Sequence, residues 1–484
     1  MAASPRPRVV VVGAGMAGIL AAIKLGEAGY DFAIYEKAER LGGTWRENTY
    51  PGIACDVPSH FYSYSFELNP EWSRRFAPGA EIQAYFEDVA RRHGVDQRIR
   101  FATEITSARF EEGRWRLEAT GGVRDEADVL VAATGVLHHP SIPDLPGLAS
   151  FAGASFHSAR WDHSVPLAGR RVGVVGTGSS AVQIATELVD RVGELLLFQR
   201  TPQWIAPGEN APFGEVEMAH FRAQPEAMRG LREQVAEQMI SGFSNHLSDM
   251  DAPQMQAIHQ FCVANLENQV RDPVLREKLR PDYRAGCKRL ILSDGFYEAI
   301  QRPQAHLVVL GIDRIEPAGV RTRDGRLHEL DVLVLATGFR VDRFLRPMEV
   351  VGRGGTTLDR SWQAGPAAYL AISVPEFPNL FLLNGPNGPV GNFSLIDVVE
   401  MQFAYVLQIL DRIRSGACRE VSVSPAAMER FDAERRQAAK NTIWASGCRS
   451  WYLDADSLPT AWPWTYDRFR DEMREPRMAD FECR

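Results

Sequence analysis

The sequence predicts an α/β protein with two Rossmann-like dinucleotide-binding domains and a helical insert in the second. Three observations predict it. A glycine turn, Gly13-x-Gly15-x-x-Gly18, sits between a β-branched run and a helical stretch; the same arrangement returns at Gly176-x-Gly178-x-x-Ala181; and strand character vanishes between Pro207 and Pro281. In the first unit Val9–Val12 enters the turn, Ile19–Ala28 reads as a helix, and Phe32–Tyr35 is a second strand ending at Glu36. In the second unit the order is Val172–Val175, the turn with Ser179 and Ser180, a helix to about Asp190, and the strand Leu195–Phe198. The order matters because a glycine turn cradles a pyrophosphate only where a strand hands the chain to a helix, whose first N–H groups and dipole face the anion.

The remaining elements divide the chain. Val129–Gly135 and Val332–Gly338 are similar strands, each ending in Ala-Thr-Gly, and Pro140–Pro146 has the composition of a linker. Helical periodicity over Ala219–Met239 and Met255–Leu279 fills the insert, at about 207–281. Asn379–Pro386 reads as a strand returning to the first domain, followed by a helix from Leu395 to about Arg414. The expected division is a first domain of residues 1–143 and 372–484, closing in a C-terminal loop, around a second domain of residues 144–371.

Composition narrows the function classes. At 484 residues the chain exceeds one ordinary core. With 45% hydrophobic and 24% charged residues and a net charge of −8, it has no basic field for a nucleic acid or an anionic membrane, and neither is an expected partner. The apolar run Val9–Val12 is too short for a signal core or a membrane span, so a cytoplasmic location is expected. Six scattered cysteines without a C-x-x-C pair argue against a disulfide framework, a zinc site or a dithiol centre; they read as reduced thiols, and no metal is expected.

The two turns differ at the end of their second strands. Glu36 closes the first, where a carboxylate accepts hydrogen bonds from ribose hydroxyls and repels a 2′-phosphate, which suits FAD. Arg200, followed by Thr201, closes the second, where a planar cation suits the 2′-phosphate of NADPH.

Three further stretches carry a resemblance. Phe151-x-Gly153-x-x-x-His157-x-x-x-Trp161-Asp162 lies just upstream of the second turn; Gly42-Gly43-Thr44-Trp45 continues to Tyr50-Pro51-Gly52 and Asp56; and Cys287-Lys288-Arg289 precedes Ser293-Asp294-x-Phe296-Tyr297. Together these resemble the type I Baeyer–Villiger monooxygenases of the flavin-containing monooxygenase superfamily, along nearly the whole chain.

The resemblance implies oxidation of a ketone to an ester or lactone with FAD, NADPH and O2, through a C4a-peroxyflavin. It implies flavin contacts from Gly43, Thr44, Trp45, Asp56 and Tyr62, with backbone of Ile105 near the adenine. It makes Lys288 a contact of the NADP phosphate and Arg289 the catalytic cation, with Asp56 holding its geometry. It gives His157 a part in positioning the domains rather than in moving a proton. Ser450-Trp451-Tyr452 matches part of the family's C-terminal loop, but the chain then departs from the expected glycine-rich continuation, running Leu453-Asp454-Ala455-Asp456 on to Trp464. Trp444, Trp451, Trp462 and Trp464 read as packing anchors. Two other functions stay open here: oxygenation of nitrogen or sulfur, and an NADPH oxidase or reductase that oxygenates nothing.

Overall fold

The computed structural model describes residues 7–390 and 393–484. Two five-stranded parallel sheets organise the chain, and four strands of each repeat one order. In the first, Arg8–Val12 lies between Asp31–Tyr35 and Val129–Ala132, with Ile99–Arg100 beyond the former and the returning strand Leu380–Leu382 beyond the latter. In the second, Arg171–Val175 lies between Glu194–Phe198 and Val332–Leu335, with Ala305–Val308 and Ala154–His157 at the edges. The segment that carries the aromatic fingerprint thus supplies the edge strand of the second sheet.

Both sheets are covered on two faces, which is why their strands are apolar at consecutive positions rather than at alternate ones. Val9 and Val11 pack with Ile19, Phe86, Val399 and Phe403 from the helices Met16–Glu27, Gly79–Arg92 and Leu395–Arg414. Val10 faces the other way, onto Ala108, Trp115 and Leu117 of a mostly antiparallel sheet built from Glu349–Val351, which pairs parallel, Ile105–Glu111, Arg114–Ala119 and Arg124–Ala127. The second sheet repeats the plan. Val172, Val174, Leu195 and Leu197 meet the helix Ser179–Leu188 and the insert residues Cys262 and Leu266, while Leu196, Phe198, Leu333 and Leu335 meet Ile315 and Val320 of a three-stranded ribbon.

Four helices occupy the insert: Glu215–Ala223, Pro225–Gly242, Pro253–Gln269 and Pro273–Leu279. The helical run expected over Ala219–Met239 is broken at Gln224. Proline begins a helix readily but cannot continue one, and Pro225, Pro253 and Pro273 each stand at a helix start. The antiparallel sheets have no counterpart in the sequence reading. Glu349–Val351 pairs with Ser107–Arg109, and Leu345, Met348, Leu358 and Trp362 join the core beside the first sheet.

The cysteines correct another expectation. Four of them are joined, Cys287 to Cys448 and Cys418 to Cys483, while Cys55 and Cys262 are free and buried. The partners lie 161 and 65 residues apart, so no local spacing could reveal them.

Trp115 locks the antiparallel sheet to the returning strand, since its ring is fully buried and its indole N–H donates to the Pro378 carbonyl at 2.9 Å. Trp115→Ala is expected to destabilise the first domain by about 3–5 kcal/mol. Urea unfolding followed by near-UV circular dichroism measures it, and an unchanged midpoint would contradict this packing role.

Candidate active site

A cavity opens at the carboxyl end of the first sheet, lined by Gly13, Gly15, Glu36, Gly43, Thr44 and Trp45, with Tyr62 and Ile105 also on its wall. The glycine turn is shaped by close backbone approach. Gly13 has φ +102, and a Cβ there would meet the Ala133 carbonyl at 2.6 Å; a Cβ on Gly18 would strike the Gly13 carbonyl. Gly18 therefore lets the helix pack on the turn and is not itself part of the cavity wall. Gly43 is left-handed at φ +55 and sits against Gly15, where a Cβ would come within 3.1 Å.

Glu36 is held rigidly at its strand end. Its Oε2 accepts from the Ala14 N–H at 2.8 Å, its Oε1 accepts from the Ala38 N–H at 3.0 Å, and Arg46 stands 3.1 Å from Oε1. Across the cavity the Trp45 indole donates to the Tyr62 hydroxyl at 3.2 Å, with the rings edge to face. Burial pushes the Tyr62 phenol well up, so it keeps its proton.

The second turn repeats the first in outline. Gly176 has φ +121 with its Cβ position blocked by the Ala336 carbonyl. Both turns end in helices whose N-caps, Gly15 and Gly178, contribute no side-chain hydrogen bond to the helix start. These exposed N–H groups, in a cradle that a Cβ would fill, fit a pyrophosphate. Ser179 begins the second helix, while the Ser180 hydroxyl is turned to Tyr50 at 3.0 Å. Arg200 follows its strand exposed, and the Thr201 carbonyl accepts from the Thr177 hydroxyl at 2.6 Å. Lys288 lies 4.6 Å over the Tyr283 ring. Burial first, then the charge of Arg200, lowers its pKa, so the two cations share one neighbourhood that an anion would stabilise.

The junction between the two units is the segment from Tyr50 to Asp56. The Tyr50 hydroxyl donates to Gln183 Oε1 at 2.8 Å and accepts from Ser180, and the Gln183 amide donates back to the Ala54 carbonyl at 3.0 Å. Gly52, at φ +80, lies flat against the Gln183 carbonyl, with only 2.8 Å for a Cβ. The segment that leaves the first cavity is thus fastened across the helix that begins the second turn. It ends at Asp56, whose two oxygens accept from Arg289 Nε at 2.8 Å and Nη2 at 2.6 Å. Burial opposes the Arg289 charge, but the Asp56 carboxylate outweighs it and raises the pKa further, so the cation is permanent. About 30% of its side-chain surface still opens to solvent space.

Two features of this junction lay outside the sequence reading. The Cys287–Cys448 disulfide ties the Arg289 segment to the C-terminal tail, and Tyr452 of that tail is buried close to the guanidinium. The tyrosine belonged to a matched motif, but only long-range pairing puts it here. His157 sits at the other seam. Its Nδ1 accepts from Ala159 N–H at 3.1 Å, which leaves Nε2 to donate to the Gly338 carbonyl at 3.0 Å. Burial lowers its pKa, and it fixes the fingerprint strand to the Ala-Thr-Gly turn.

Comparisons with known proteins agree with this architecture. Residues 6–222 match the family model of flavin-binding monooxygenase-like proteins. An uncharacterized monooxygenase of Mycobacterium tuberculosis is 45% identical over 479 residues, 99% of this chain and 96% of its own. A Baeyer-Villiger monooxygenase of Streptomyces coelicolor is 40% identical, spanning 98% of this chain and 92% of its own. The crystal structure of OTEMO in complex with FAD and NADP superposes with a TM-score of 0.90 at 28% identity, covering 99% of this chain and all of that one, 100%.

Tyr50→Phe is expected to cost about 1–3 kcal/mol, because the Gln183 and Ser180 groups it bonds lose their partner inside the junction. Thermal and urea unfolding measure the loss. A midpoint equal to the parent's would mean that the phenol does not fasten the two units.

Proposed function

Because the chain belongs to the flavin-binding monooxygenase-like family, and within it to the Baeyer–Villiger monooxygenases, we propose that it uses FAD, NADPH and O2 to turn a ketone into an ester or lactone. The observation that carries the oxygenation step is the two-pronged Asp56–Arg289 pair at the junction of the two nucleotide units. A permanent cation fixed by a carboxylate, and still partly exposed, suits a reaction in which negative charge builds on oxygen.

FAD would lie in the first cavity, with its pyrophosphate at Gly13, Gly15 and the start of the helix Met16–Glu27, and its ribose on Glu36. Glu36 supports this by being fixed through two backbone N–H groups while each oxygen keeps further acceptor capacity. Thr44, Trp45 and Tyr62 would enclose the ring system and shed water, with Ile105 backbone toward the adenine. NADPH would use Gly176, Gly178 and Ser179, with Arg200 and Lys288 on the 2′-phosphate and Thr201 beside it. Ser180 would contribute through its backbone, since its hydroxyl already serves Tyr50.

FAD held by these residues would supply a hydride acceptor for NADPH and the means of activating O2. The chain's own part is electrostatic. Arg289 stabilises the negative charge that grows on oxygen as the ketone is attacked, and it does so most strongly where water is excluded. Asp56 is a positioning residue: it holds the guanidinium plane by both oxygens and keeps the cation from turning away. The planar fork matters, since a lysine there would supply charge without the fixed geometry.

Two variants test the assignments. Arg200→Ala should weaken NADPH binding by about 1.5–3 kcal/mol, the scale of a charge-assisted hydrogen bond, and leave NADH almost unchanged. Titration with both nucleotides measures it, and an equal loss for both would remove Arg200 as the discriminator.

Arg289→Ala should still take up FAD and oxidise some NADPH. Ester formation should fall by roughly 100-fold or more, as for loss of a preorganised oxyanion donor, and hydrogen peroxide should appear instead. Product analysis on a ketone panel beside NADPH and peroxide assays decides it. Ester at the parent rate would take Arg289 out of the reaction.

A further inference from the structure

Tyr452 is only 1% exposed, and its hydroxyl has no hydrogen-bond partner among the described residues. Its ring is clamped between Trp451, 4.1 Å away between centroids, and Trp444, 5.5 Å away. Tyr452 belongs to an apolar cluster with Met255, Ile443 and Ala461. The guanidinium of Arg289 lies close enough to act on the phenol oxygen. That group can only donate. Both oxygens of Asp56 accept from Arg289, and neither accepts from the phenol.

The placement is enforced from both sides. The Cys287–Cys448 bond holds the tail against the segment that carries Arg289, and the Cys287 sulfur also approaches the Trp444 carbonyl, at 3.7 Å. A buried hydroxyl whose proton meets no acceptor is unfavourable, and orphaned groups of this kind are rare unless a ligand satisfies them. Here the missing partner must be an acceptor that can sit beside a cation in an apolar surround. A ketone oxygen has that character.

We propose that the Tyr452 hydroxyl donates a hydrogen bond to the carbonyl oxygen of the substrate, as a second donor beside Arg289; the proposal rests on the ketone reaction assigned above. No proton is transferred. The phenol stays protonated, because burial raises its pKa and the Arg289 charge offsets only part of that rise. Two donors converging from different parts of the chain hold the carbonyl in one orientation and share the charge that develops on its oxygen. Tyr452 thereby becomes a catalytic residue supplied by the tail, so the tail contributes chemistry to the site as well as cover.

The test is Tyr452→Phe in the full-length holoenzyme, assayed with a ketone and with a sulfide of matching size, which is oxygenated without any carbonyl to hold. FAD content, the KM for NADPH and sulfoxide formation should stay at parent values, while ester formed per NADPH falls about ten-fold or more and peroxide rises to match. Equal loss on ketone and sulfide would overturn the proposal, since the phenol would then serve the fold or the oxygen-activating step. Lost FAD or a raised KM for NADPH would overturn it in favour of a cofactor contact. Unchanged ester yield would overturn it outright. A parent enzyme that makes sulfoxide but no ester from any ketone would sink the ketone reaction itself, and this inference with it, whatever the variant does.

Discussion

The contact on which the site depends is the pairing of Asp56 with Arg289. Asp56 ends the segment that leaves the first nucleotide cavity, and Arg289 follows the helical insert of the second unit, so one ion pair joins the two halves of the molecule at the point where they must cooperate. Its geometry is two-pronged, which fixes the plane of the guanidinium as well as its position. A partly enclosed cation without such a partner would be costly, and one free to rotate would not present a fixed donor face.

Everything around the pair limits its motion. Tyr50, Gly52 and Ala54 are fastened along the helix Ser179–Leu188, so the carboxylate inherits the position of the second glycine turn. Cys287 is bonded to the tail two residues before Arg289. The two chain crossings between the sheets also hold one another. Ser141 N–H donates to the Gly338 carbonyl, the Thr337 hydroxyl donates to the Ser141 carbonyl, and Pro140 bridges to Phe339. His157 adds its bond to Gly338 at the same place. Nucleotide units that fold on separate sheets are in this way kept in a single register at their carboxyl ends.

The duplicated sheet explains where such a site can lie. In open parallel sheets ligands gather beyond the carboxyl ends of the strands, because glycine turns and helix starts collect there. Both turns of this chain obey that rule, and each is narrowed by a carbonyl from its Ala-Thr-Gly strand, Ala133 in one and Ala336 in the other. The smaller sheets lie on the far faces, the first of them reaching the cavity wall at Ile105. They bury the second face of each parallel sheet and let its strands be continuously apolar.

Much of this was legible in sequence order alone. Glycine turns between strand and helix, a carboxylate or an arginine at the following strand end, and helical periodicity in the insert are local signals, set by backbone conformation within a few residues. The two parallel sheets and the contrast between Glu36 and Arg200 followed from them. What the sequence could not determine is held by contacts between distant segments: the crossing of Tyr50–Asp56 over the second helix, the meeting of Asp56 with Arg289, the bonds Cys287–Cys448 and Cys418–Cys483, and the pairing of Glu349–Val351 with Ser107–Arg109 in the four-stranded sheet. No local periodicity encodes a partner hundreds of residues away. The residue types that the chemistry needs were therefore visible along the chain, while their convergence on one point was decided only when both sheets had been packed on two faces and locked at their ends.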